Sequence, residues 1–184
     1  VSGMDDNPRL RTGEHVNASG VSGQGAPDGV SGQRVSDGVS GQGAADDVSR
    51  AHRHVFPRAV RFADVDSLGH VNNVRFFDYL EDARLEMFHI DLHREGGTPF
   101  RGLVVARHEI DYRRPLTFRA DPVRVESWVT EIRPVRFTLD YEIRDGEEIF
   151  VRARSVMVAY DVERAGPRRL NPYELSYLRR FTAG

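Results

Sequence analysis

The sequence predicts an α+β domain, a sheet of antiparallel strands built with one long helix, on three observations. Four stretches after residue 100 carry the periodicity of strands. One long helical run precedes them, opened by Asn72-Asn73 and itself preceded by a single strand. The order strand, helix, four strands keeps helix and sheet segregated along the chain, as α+β folds do.

Residues 54–65 alternate weakly, with Val60 and Phe62 on one face and Arg61 on the other, as in a half-buried strand. Asn72 or Asn73 is a good N-cap for the helix that follows, and Asp78 near its start complements the dipole. The apolar residues Val74, Phe76, Phe77, Leu80, Ala83, Met87 and Phe88 cover more than one narrow stripe, so this helix is expected to be wrapped by its surroundings. Glu95-Gly96-Gly97-Thr98-Pro99 ends the helical pattern. Strands follow at 103–112, 123–132, 135–143 and 149–160. The third is plainest: Val135, Phe137, Leu139, Tyr141 and Ile143 alternate with Arg136, Thr138, Asp140, Glu142 and Arg144. Asp145-Gly146 turns the chain into the fourth. Asn171-Pro172-Tyr173-Glu174 has N-cap, N1 proline and N3 glutamate in order and starts a short C-terminal helix.

The first fifty or so residues read as another kind of polymer. Val-Ser-Gly-Gln recurs from Val21, Val30 and Val39, a nine-residue period with too few copies and no aromatic residues to bury a core. A disordered tail is expected over 1–52 and the folded domain over 53–184. With 184 residues, 39% of them hydrophobic, the chain can build one ordinary core. A net charge of −2 removes the electrostatic reason to expect nucleic acid or an anionic membrane as partner. The absence of cysteine excludes disulfides, a thiol nucleophile and thiolate metal sites. No apolar run approaches the ~20 residues of a membrane-spanning helix, and no signal-peptide core stands at the N-terminus, so a cytoplasmic enzyme is expected.

The chemistry concentrates in Val60 to Met87, VRFADVDSLGHVNNVRFFDYLEDARLEM. A carboxylate just ahead of a helix N-terminus stands beside unpaired backbone N–H groups, the pairing that acyl transfer uses. The pieces are Asp64, Asp66, Gly69, His70, Val71, Asn72 and Asn73, then Phe76, Phe77, Tyr79, Glu81 and Arg84 on the helix. Together with His108 to Leu116, HEIDYRRPL, they resemble the 4-hydroxybenzoyl-CoA thioesterase group of hotdog-fold acyl-CoA thioesterases. The likeness covers roughly residues 55 to 180. It implies a hotdog fold, a five-stranded antiparallel sheet curled round the helix, in a homodimer or homotetramer with sites between subunits. It also implies hydrolysis of an acyl-CoA with no metal or other cofactor, coenzyme A being part of the substrate.

By that resemblance Asp66 is the catalytic carboxylate, either attacking the thioester carbonyl or activating water, and the Asn73 backbone amide is the leading oxyanion donor. Unaided by the motif, Asp66 reads as a turn cap. Asp64 reads as a brace for the loop, and Gly69, His70 and Asn72 as shaping the turn. This chain departs from members that carry histidine at the Asn73 position. Glu81 and Arg84 stand three apart and are expected to pair on the helix, and the resemblance makes Glu81 a candidate to hydrogen-bond near the site, with a structural carboxylate as the alternative. His89 and His93 have a metal-compatible spacing but no third ligand, and follow the apparent helix end. Phe76 and Phe77 are candidates to meet the acyl group. Of the arginines around Pro115 and Pro134, Arg133 and Arg136 are chosen as contacts for the CoA phosphates. Two rival readings stay open, an acyl-carrier-protein thioesterase and a non-catalytic acyl-CoA-binding module.

Overall fold

The computed structural model describes residues 52–182. The repeat segment, and the disorder expected of it, lie outside the described residues. Strand β1 (His54–Arg58) leads through a single 3-10 turn (Phe62–Asp64) to helix α1 (Arg75–Leu85). A π turn (Glu86–Ile90) joins α1 to the short helix α2 (Asp91–Arg94). Strands β2 (Leu103–Tyr112), β3 (Val123–Ile132), β4 (Arg136–Asp145) and β5 (Glu148–Asp161) follow, then the two-residue β6 (Gly166–Pro167) and helix α3 (Pro172–Arg179).

The sheet is antiparallel throughout, in the order β1-β3-β4-β5-β2, with β6 added on β5. It curls round α1 as a hotdog fold. Alternation explains why: Phe137, Leu139, Tyr141 and Ile143 of β4 point inward and are essentially removed from solvent. They meet Leu80, Ala83, Met87 and Phe88 of the helical layer, likewise buried. The predicted α3 forms with its capping box intact: Asn171 Oδ1 accepts from Glu174 N–H, and Glu174 Oε2 accepts from Asn171 N–H, both at 2.9 Å.

Three sequence expectations are corrected. The first strand stops at Arg58, and the chain then turns, so Val60 is buried while Phe62 is 78% exposed. The helix is wrapped on one side only, leaving Val74, Phe77 and Leu85 exposed. His89 and His93 do not follow a helix end but lie within the π turn and α2. The π turn has a tertiary cause. The carbonyls of Met87 and Phe88 accept hydrogen bonds from outside the helix, from Tyr177 Oη at 2.6 Å and from Phe100 N–H at 3.1 Å.

Candidate active site

The loop between the 3-10 turn and α1 is a closed miniature hairpin. Val65 and Val71 bridge antiparallel, Asp66 N–H donates to the His70 carbonyl at 2.9 Å, and Gly69 N–H donates to the Asp66 carbonyl at 3.0 Å. Gly69 sits at φ 77°, where a side chain would be strained, so the motif needs glycine there. Asp66 Oδ1 accepts from Leu68 N–H at 2.8 Å, which caps the turn. Oδ2 takes no hydrogen bond among the described residues.

Asn72 sets the approach to the helix. Its N–H donates to the Asp64 carbonyl at 2.8 Å, its carbonyl accepts from Arg75 N–H at 2.9 Å, and its Oδ1 accepts from Val74 N–H at 3.0 Å. The N-cap of α1 is Val74, so Asn72 caps the turn before the helix rather than the helix itself. A trans peptide points its N–H opposite its carbonyl. With the Asn72 carbonyl committed to the helix, Asn73 N–H faces away from it and has no acceptor among the described residues. Tyr112 Oη steadies the next peptide by donating to the Asn73 carbonyl at 3.1 Å.

Asp66, His70, Asn73 and Phe76 line one wall of a cleft of about 430 Å³. Tyr112, Arg113 and Arg114, at the end of β2 and just beyond, line the other. A depression of about 350 Å³ on the sheet's outer face is bounded by Glu109, Asp140, Glu142, Arg152 and Arg154. Arg152 and Arg154 there pair with Glu142 and Asp140, and no helix start opens into it.

Asp64 is held apart from the cleft. Burial pushes its carboxyl pKa upward, but hydrogen bonds from Arg61 and Tyr79 outweigh that and hold it below the usual range. Arg61 grips both its oxygens and Tyr79 Oη donates at 2.9 Å, so it braces the loop from beneath. It does not converge on a metal with Asp66 and His70, and no cluster of three ligands occurs among the described residues. Phe77 turns from the cleft to pack edge-on against His108, ring centroids 5.5 Å apart. Glu81 is exposed and makes no ion pair with Arg84.

Arg133 and Arg136 are not in the cleft of their own chain. Arg136 lies opposite Val158 of β5, whereas Tyr112 lies opposite Val151, 158 − 151 = 7 residues away. That is about 23 Å along a strand. The arginines beside the cleft are Arg113 and Arg114, each in a loose 3.5 Å pair with an exposed carboxylate. Sequence reasoning missed Tyr112 as a site residue, although the motif HEIDYRRPL contains it.

A family model described as the thioesterase-like superfamily matches residues 60–178, nearly all of the sheet and helix just described. The chain belongs to that superfamily. Among solved structures, this thioesterase-like chain is similar to a thioesterase from Thermus thermophilus solved with coenzyme A and zinc. The two share 32% identity over 68% of this chain and 91% of that one, with a TM-score of 0.56. A predicted thioesterase from Bacillus stearothermophilus has the same fold at 22% identity, with a TM-score of 0.61 over 71% of this chain and 97% of that one. No curated protein matches the chain. No helix among the described residues is long and apolar enough to cross a membrane.

Proposed function

We propose that this protein is an acyl-CoA thioesterase, releasing a free carboxylic acid and CoA, and that it works as an assembly of identical subunits. One observation carries the reading: a carboxylate with a free oxygen and an unsatisfied backbone N–H at a helix start share one cleft with two arginines. The Thermus thermophilus relative, solved with coenzyme A, supports the choice of CoA as carrier. In the proposed reaction the thioester carbonyl oxygen lies against Asn73 N–H, which stabilises the negative charge that develops there. Asp66 either attacks the carbonyl carbon, giving a mixed anhydride that water then opens, or takes a proton from the attacking water. In both routes a C–O bond forms, the C–S bond breaks, and the thiolate leaves without needing strong acid help. Arg113 and Arg114 meet the CoA phosphates. Phe76 meets the acyl group.

The test is free-thiol release across a panel of acyl-CoA substrates, comparing wild type with Asp66→Asn. The expected result is turnover that falls by about 10²–10⁴-fold in the variant while CoA-ester binding persists. Binding without turnover in the wild type would sink the enzymatic reading. Equal turnover in both proteins would sink the role of Asp66.

A further inference from the structure

Arg53, Arg58, Arg119, Arg144 and Arg168 are all withdrawn from solvent, and each meets a carboxylate. Arg84 is withdrawn as well, yet among the described residues it pairs with no carboxylate and leans instead on the phenol of Tyr141. The hydroxyl of Tyr141, a residue 1% exposed, lies within reach of both Arg84 and Ser155. Neither Arg84 Nη1 nor Tyr141 Oη closes a well-formed hydrogen bond, and the buried Ser127 Oγ, opposite Tyr141 on β3, has none either. Ser155 Oγ shares a hydrogen bond of 2.8 Å with His108 Nδ1. Burial and the nearby Arg84 charge hold the His108 pKa below its usual range, so the imidazole adds no second cation at neutral pH.

The backbone brings these groups together. Val105 pairs with Met157, and strict alternation would turn Arg107 to the concave face next. A one-residue bulge at Ala106 sets His108 there instead, opposite Ser155. Arg84 comes from the helix, two turns or about 10.5 Å beyond Phe77, whose ring packs on His108. One step nearer the cleft, Phe76 packs on Tyr112, and both of these line the cleft itself. The two ring contacts are successive rungs of a seam between α1 and β2, which Phe77 and Tyr112, 38% and 48% exposed, leave open. From Tyr112 to His108 the seam runs about 13 Å along the strand. It leads from the proposed thioester site, over apolar rings, to a guanidinium that no carboxylate neutralises.

We propose that Arg84, Tyr141 and His108 form a subsite for a carboxylate at the far end of the acyl group, so that the preferred substrate is the mono-CoA thioester of a dicarboxylic acid. This rests on the thioesterase reading above and names the acyl class it takes. An acyl chain lying along the seam sets its methylenes on Phe76 and Phe77 and its distal carboxylate against the Arg84 guanidinium. The two charges neutralise one another in a place already withdrawn from water. A methyl end in the same place strips water from Arg84 and gives it nothing in return. The selection comes from the cost of the wrong end as much as from the gain of the right one. The distal carboxylate takes no part in bond making, and the hydrolysis is the one described above.

Thiol release and calorimetric binding by the full chain test this with pairs of linear acyl-CoA esters of equal length, one ending in a methyl group and the other in a carboxylate. The pairs run from butanoyl and succinyl to decanoyl and sebacoyl. The wild type is expected to favour the carboxylate member of the longer pairs by about 100-fold in kcat/KM, and Arg84→Met to remove most of that ratio. The shortest pair, unable to span the seam, is expected to show little preference. A wild type that treats the two ends alike at every length overturns the proposal, as does a folded Arg84→Met protein that keeps the preference. The first of these needs no variant, so it decides the matter if Arg84→Met does not fold. Tighter binding of the carboxylate member without turnover sinks the thioesterase reading and leaves the subsite standing, whereas turnover without preference does the reverse.

Discussion

Asp64 and Asp66 stand two residues apart in opposite surroundings. Asp64 is 1% exposed and holds Arg61 and Tyr79, while Asp66 opens on the cleft. Tyr79→Phe removes a buried donor from an ionised acceptor and is expected to cost about 1.5–3 kcal/mol at neutral pH. The folded pKa of Asp64 is depressed, so its contribution is full above the unfolded value of about 3.9 and is lost as pH falls through the folded value. The gap between wild-type and Tyr79→Phe melting temperatures should therefore narrow below about pH 4. A gap that stays constant from pH 7 to pH 2 would show that the tyrosine acts through packing instead. At this scale the sequence was legible where neighbours in the chain are also neighbours in space: Asp66 and Asn73 fall within eight residues of one another and line the same cleft. The choice between the arginines beside Pro115 and those beside Pro134 failed within one chain, because both clusters flank a proline. Only strand pairing shows that they lie at opposite ends of the sheet.

Among the elements, alternation carried β3 to β5 because each sets an apolar face in the core and period-two patterning records that burial, whereas none of the ten residues of β2 is fully buried. The π turn left no such record, since its cause is a tyrosine ninety residues further along the chain. Tyr112 belongs to the same class. It acts on the helix start from the far end of β2, 39 residues from the carbonyl it holds, while its ring packs against Phe76 at 5.7 Å. Its role in the proposed reaction is positional, keeping the Asn73 peptide still. Tyr112→Phe is expected to lower kcat about 10- to 100-fold with KM little changed, because a donor slightly out of place costs more in the transition state than in binding. A rise in KM at unchanged kcat would mean that the hydroxyl binds substrate and does not hold the helix start.

For the molecule as a whole, the sheet separates two unlike layers. Its inner face is the hydrocarbon core, but its outer face buries charge as well: Glu126, Glu142 and Arg144 are 4%, 7% and 2% exposed. Alternation sets Glu142 and Arg144 on the face opposite the apolar one, and it has no means of showing that this face is covered as well. Glu142 accepts from Arg53 at 2.8 Å and from Arg144 and Arg152 at 3.2 Å, so one carboxylate ties the segment before β1 to β4 and β5. Arg53 also lies over the Trp128 ring at 3.9 Å, which closes the layer from above. The net value of such a network is small, because desolvation offsets most of the attraction, but the cost of breaking it is large. Glu142→Ala would leave Arg144 buried, with Glu126 at 3.8 Å and the exposed Glu147 at 3.4 Å as its remaining carboxylates. A loss of about 3 kcal/mol is expected, seen as a lower urea midpoint at unchanged slope. A loss below about 1 kcal/mol would mean that water or Glu126 compensates Arg144, and that the charged layer marks the sheet's outer face without holding it.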